Sequence, residues 1–212
     1  MKKSQIIVGL LFLSLLVVGC DNKTKVAKEQ KVDESISQKS ETVDTNISKN
    51  QAKQANMVAI QVFNDVAKVG PNGKPMILVF GTNTDPYSMK LKEDIFKSKE
   101  LQSRLKGEFS SYYFKAHENL RHKLFHEGEY MDVDTKTMIN IYGITATPTL
   151  IFTDDKGKAV IIVPGYMPTK QFLVTLDFML SNKWVGKGRK DGEVYEELKK
   201  FYIKNNIEVS KK

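Results

Sequence analysis

Lys74-Pro75-Met76-Ile77-Leu78-Val79-Phe80-Gly81-Thr82-Asn83-Thr84-Asp85-Pro86-Tyr87-Ser88-Met89-Lys90-Leu91-Lys92 decides how the rest of the chain is read. Met76 to Phe80 is an unbroken apolar run with the length of a strand buried on both faces. Small and polar residues follow, and Asp85 then has the chemistry of a helix N-cap, its carboxylate placed to accept the amide of Ser88. Pro86 suits the first helical position, where no amide hydrogen is needed. Met89, Leu91 and Ile95 recur at helical spacing to about Phe96, so the segment reads as central strand, loop and capped helix.

Outward from this unit the pattern continues. Upstream, Ala55, Val58, Ala59, Val62, Val66 and Val69 recur at helical spacing, and Gly70-Pro71-Asn72-Gly73 is expected to stop that helix. Downstream, a helical stretch around Leu101 to Leu105 precedes a strand over Ser111 to Lys115. Lys123 to Val133, with the turn signal Glu127-Gly128, predicts a hairpin-like insertion. A short helix over Thr135 to Tyr142 follows. Thr149 to Thr153 and Ala159 to Val163 read as strands joined through Asp154-Asp155-Lys156-Gly157. Helices over Thr169 to Ser181 and Glu193 to Lys204 close the chain. The order argues an α/β fold, a central mixed sheet with helices on both faces, in one domain of about 160 residues.

Two segments carry a family resemblance. The quoted stretch resembles the central strand, active-site loop and following helix of periplasmic thioredoxin-like proteins, which have Cys-Pro-Tyr-Cys in that loop. Ala146-Thr147-Pro148-Thr149-Leu150-Ile151-Phe152, then Asp155-Lys156-Gly157-Lys158 and Pro164-Gly165-Tyr166, are similar to the family's cis-proline loop, hairpin and Gly-Tyr ending, nearest to its SoxW-like branch. The resemblance spans roughly Ala55 to Asn205. It implies a thioredoxin-like fold with a small insertion before the cis-Pro loop, a cis Thr147-Pro148 bond, and a groove where Tyr87, Thr147, Pro148 and Tyr166 meet an extended peptide.

The departure is as informative. Where the resemblance places two cysteines, this chain has Asp85 and Ser88, giving Asp85-Pro86-Tyr87-Ser88; the only cysteine of the 212 residues is Cys20. A thiolate is the nucleophile of disulfide exchange, and neither a carboxylate nor an unactivated hydroxyl replaces it. No catalytic residue and no cofactor is therefore expected. Thiol-disulfide oxidoreductase activity is implied by family likeness alone and opposed by composition.

The N-terminus sets an address. Met1-Lys2-Lys3 is cationic, Ile6 to Val18 is mostly apolar, and Gly19-Cys20 follows at once. This is secretory-signal anatomy, shorter than the roughly 20 residues needed to span a bilayer. Leu16-Val17-Val18-Gly19-Cys20 resembles a bacterial lipobox, which implies cleavage before Cys20 and a lipid on its thiol. Residues 1–19 are then a signal peptide. Residues 20–53, with neither aromatic residue nor Gly nor Pro beyond Cys20, form a tether, and 54–212 the domain. The expected location is the periplasmic side of a bacterial membrane, with Asp21 favouring the inner one, and the bilayer is the first partner. Residues 54–212 carry a net charge of only +5. That is a solvated surface rather than a nucleic-acid footprint, and no nucleic-acid partner is expected.

His117, His122 and His126 lie within ten residues. Imidazoles with nearby Glu118 and Glu127 could hold zinc or copper, and a metal-binding lipoprotein is the alternative reading. His122 and His126 share a face on a helix or a strand alike, so the spacing is uninformative. No Gly-x-Ser-x-Gly or phosphate loop appears. The main expectation is a redox-inactive domain that binds an envelope protein or an extended peptide, in a chaperone-like role.

Overall fold

The computed structural model describes residues 61–209 together with Asn50, Lys53, Gln54 and Met57 of a helical segment that ends at Val62. Cys20, the segment expected to be a signal peptide and most of the expected tether lie outside the described residues.

The apolar run becomes the central strand β2 (Met76–Gly81), buried at every position. It pairs in parallel with β3 (Ser110–Lys115) and antiparallel with β6 (Thr149–Thr153), and β6 pairs antiparallel with β7 (Ala159–Pro164). The sheet order is β3-β2-β6-β7. Successive side chains of β2 point to opposite faces, and each face meets its own apolar cluster. Ile77 and Val79 pack with residues of the helices α1 (Pro86–Lys97), α2 (Lys99–Gly107), α4 (Thr169–Leu180) and α5 (Glu193–Lys204). Met76, Leu78 and Phe80 pack on the other side, where Phe80 stacks on Phe114 at 4.6 Å between centroids. Each such side chain contributes roughly 1.5–3 kcal/mol on burial, so β2 is anchored from both faces. The loop leaving Gly81 starts from the most rigid part of the molecule.

The second face is covered differently from the expectation of helices alone. One helix, α3 (Thr135–Tyr142), shares it with a three-stranded sheet in which β1 (Lys68–Val69), β4 (Arg121–His126) and β5 (Glu129–Asp134) lie in that order. Here β4 and β5 form the expected hairpin insertion. Its turn residues Glu127 and Gly128 both have positive φ, the geometry that matches hairpin twist.

The helix expected to run to Val69 stops at Val62. Asp65 accepts the amide of Ala67 at 2.7 Å in a tight turn, the amide of Asn64 donates to the carbonyl of Ser111 at 2.8 Å, and Lys68–Val69 becomes strand β1 beside β4. Val66 and Val69 fit a helical period, but they are β-branched residues claimed by a non-local partner strand. Among the described residues no helix is long and apolar enough to cross a membrane.

Candidate functional site

Gly81 ends β2 where no larger residue fits: a Cβ there would lie 2.2 Å from the Tyr113 hydroxyl and 2.9 Å from Ser88 Oγ. That close approach lets Ser88, fully buried on α1, reach back and accept the amide of Thr82 at 3.1 Å. Thr82 Oγ1 in turn accepts the amide of Asp85 at 2.9 Å, which folds residues 82–85 into a tight turn.

Asp85 is the N-cap of α1. Its Oδ1 accepts the Tyr87 amide at 3.0 Å, and its Oδ2 accepts the Ser88 amide at 3.1 Å and the Ser88 hydroxyl at 2.5 Å. The hydroxyl of Thr147, on the cis-proline loop, lies near enough to favour its charged form. Partial burial opposes the charged form, yet the hydrogen bonds from Ser88 and Tyr87 and the nearby Thr147 hydroxyl outweigh it and hold the carboxyl below its ordinary pKa. The carboxylate is thus fully served from within and needs no external cation. Ser88 donates its hydroxyl proton to that carboxylate and is shielded from solvent.

The Thr147–Pro148 bond is cis, as the resemblance implies. Gly165 donates to the carbonyl of Pro148 at 2.7 Å, and Thr149 Oγ1 donates to the carbonyl of Ala146 at 2.7 Å. Among the described residues no hydrogen bond engages the amide or the carbonyl of Thr147, two positions before β6 begins to pair. Tyr87, in the first turn of α1, has 62% of its surface exposed. Tyr166 is placed otherwise: it is half-buried against the helical cluster, its hydroxyl donates to Asp94, and Lys90 lies over its ring at 5.7 Å. Of the four residues expected at a groove, Thr147 of the cis Thr147–Pro148 pair approaches the N-cap of α1, Tyr87 is exposed in the first turn of that helix, and Tyr166 is tied to its flank.

Sequence reading missed Lys92. It stands one helical turn beyond Ser88 and is almost wholly buried, donating to Asn83 Oδ1 at 2.7 Å and lying 4.8 Å from the centroid of the Tyr113 ring. Burial, with the repulsion of Lys115, pulls its pKa down to about 8. Burial also pushes the Tyr113 hydroxyl up, so that group stays protonated. The spacing Ser88, Leu91, Lys92, Ile95 marks one inward helix face and could have exposed the lysine.

The histidines do not form a cluster. His122 is buried on β4, its Nδ1 facing the carbonyl of Val66 at 2.8 Å and its Nε2 the hydroxyl of Thr135 at 2.8 Å. A ring nitrogen facing a carbonyl must donate, so Nε2 is the acceptor and no lone pair is left for a metal. His126 packs edge-on against Tyr142, and His117 lies by Glu118 on an exposed loop. Among the described residues no three His, Cys, Asp or Glu side chains could hold a metal ion together. The structure thus does not bring His117, His122 and His126 together as the metal reading expects.

A mixed sheet whose central strand feeds a capped helix facing a cis-proline loop defines the thioredoxin-like class of fold. The family model described as a thioredoxin-like domain matches residues 62–180. A thioredoxin-fold protein from Helicobacter pylori of solved structure is 32% identical, with a TM-score of 0.64, over 68% of this chain and 92% of its own. The chain belongs to the thioredoxin-like family. An uncharacterized thioredoxin-like protein from Clostridium perfringens is 18% identical with a TM-score of 0.36, over 58% of this chain and 89% of its own. No curated protein matches the sequence.

Proposed function

We propose that this protein is a membrane-anchored, extracytoplasmic thioredoxin-like domain, nearest to the SoxW-like branch. In it the two redox cysteines are replaced by Asp85 and Ser88, and the cis-proline loop is kept as a peptide-binding edge. The observation that carries the reading is the open backbone of Thr147 beside a self-satisfied Asp85. An extended segment can add to that edge through main-chain hydrogen bonds, with Tyr87 as an exposed aromatic contact, and no covalent step is required. Anchoring rests on the sequence alone: residues 1–19 as a signal peptide, a lipid on Cys20, and residues 21–53 as the tether.

The test is fluorescence anisotropy with labelled, reduced and carboxymethylated lactalbumin, an extended chain with no thiol of its own. Binding that Tyr87→Ala weakens about tenfold supports the reading. No binding at millimolar protein, or binding indifferent to Tyr87→Ala, overturns it. A parallel insulin-reduction assay is expected to match a Cys20→Ser control; turnover well above that control would restore the oxidoreductase reading.

A further inference from the structure

Among the described residues the two sheets have four outer strands, and three of them are plainly protected. An outer strand presents unpaired amides and carbonyls to any extended chain, so edges are shortened, charged or covered. Strand β1 is two residues long, β5 carries Glu129, Asp132 and Asp134, and β3 is covered by Asn64, which bridges to Tyr112 and donates its amide to the carbonyl of Ser111 at 2.8 Å. Strand β7 has none of these. Its run Ala159-Val160-Ile161-Ile162-Val163-Pro164 holds no charge, four consecutive β-branched residues suit it to pairing, and Pro164 blocks only its last position.

What closes β7 is one side chain. Ile162 stands opposite Ile151 of β6, with its amide and carbonyl turned away from that strand. The Tyr195 hydroxyl accepts the amide at 3.2 Å and donates to the carbonyl at 3.3 Å, two roles that one hydroxyl can fill at once. Tyr195 belongs to the first turn of α5, which Val194, Leu198 and Tyr202 seat on the helical cluster. Its ring is partly buried against the same cluster while its tip meets the strand edge. Helix α5 lies beyond residues 62–180, so the cover belongs to the part of this chain outside the family match.

We propose that Tyr195 is an edge guard, whose hydroxyl holds the outward groups of Ile162 and so keeps β7 from pairing antiparallel with β7 of a second copy of this chain. A second copy is the occupant because the strand matches itself. A two-fold axis through Ile162 sets each Ile162 opposite the other, and the two N–H···O=C bonds they then exchange use the same groups that the hydroxyl holds. No charge within either strand opposes the approach. Because the hydroxyl is carried on the same chain, its local concentration far exceeds that of a second copy, and the edge stays shut. The guard stands apart from the peptide edge at Thr147, on a different strand.

The test is sedimentation velocity with residue-resolved hydrogen exchange on the full chain, under a reductant that silences Cys20. It compares the parent with Tyr195→Phe, which removes the hydroxyl alone, and Tyr195→Ala, which also clears the ring from the edge. In Tyr195→Phe the Ile162 amide should exchange about tenfold faster than in the parent. In Tyr195→Ala the dimer fraction at micromolar concentration should rise several-fold, with the new protection confined to residues 159–164. Unchanged exchange at Ile162 in Tyr195→Phe, a Tyr195→Ala chain that stays monomeric with a native far-ultraviolet spectrum, association that leaves 159–164 unprotected, or a parent already paired through β7 overturns the proposal. Should Tyr195→Ala fail to fold, Tyr195→Phe at raised concentration decides by the same two readouts.

Discussion

Two helices of this protein begin alike and end up in different situations. Asp85-Pro86-Tyr87-Ser88 opens α1 and Asp134-Thr135-Lys136-Thr137 opens α3, each with an aspartate N-cap and a hydroxyl residue three positions on. Asp134 accepts the Thr137 amide at 2.7 Å and Asn119 Nδ2 at 3.1 Å, much as Asp85 accepts the amides of Tyr87 and Ser88. The surroundings differ. Ser88 is fully buried, whereas Thr137 is exposed; Asp85 is also approached by Thr147 from a cis-proline loop, and it sits above a buried lysine. A cap motif alone is therefore a structural device. What marks a site is the second loop converging on it.

The sharpest way to break that comparison is to install the same chemistry at both helix starts. Asp85→Cys with Ser88→Cys is expected to raise insulin reduction at least about tenfold above background, because a thiol at a helix N-terminus is acidified and the cis-proline loop can present a substrate. Asp134→Cys with Thr137→Cys puts the same i, i+3 dithiol at α3 and should stay at background, although thiol titration confirms both pairs. Equal activity of the two variants would show that the cis-proline loop contributes nothing.

Removing the caps separates them by a smaller margin. Asp85→Ala should cost about 2 kcal/mol, since it strands the buried hydroxyl of Ser88 as well as two amides, while Asp134→Ala should cost less. Urea unfolding reads both, and a larger loss at Asp134 would reverse the ranking. Tyr87→Ala should leave the urea midpoint unchanged while weakening polypeptide binding about tenfold. Tyr166→Phe, which deletes the hydrogen bond to Asp94, should lower the midpoint and spare binding.

Much of this was legible in the sequence, for local reasons. The run Met76 to Phe80, the cap at Asp85 with Pro86, the hairpin turn at Glu127-Gly128 and the helix from Thr135 to Tyr142 are each written in adjacent residues. What escaped is non-local. Strand β1 is two residues long and exists because β4 lies beside it, so its Val69 was read by helical period. The hydroxyl of Thr147 reaches Asp85 only once the sheet brings the two loops together. Histidines close in sequence look like a cluster, yet β4 turns His122 into the core while His117 stays on the surface. Lys92 was passed over, although its spacing from Ser88 sets it on the buried face of α1.

Titration gives the finest discrimination between the two helix starts. On the acid side they should behave alike. Asp85 and Asp134 both have folded pKa values below the ordinary aspartate value, that of Asp134 at about 2, so their stabilisation is complete above about pH 4 and is lost as pH falls toward 2. On the alkaline side only α1 should respond. Lys92 titrates near pH 8 when folded and near its ordinary 10.5 when unfolded, so above pH 8 the unfolded chain binds more protons and stability rises with pH. Below pH 8 the folded protein carries a buried charge that Lys92→Met would remove. The melting temperature of Lys92→Met relative to the parent should therefore fall by a few degrees between pH 7 and pH 10 as the parent catches up. A difference independent of pH would mean that Lys92 keeps its charge under the loop, and that the base of the site is as wet as the surface around Asp134.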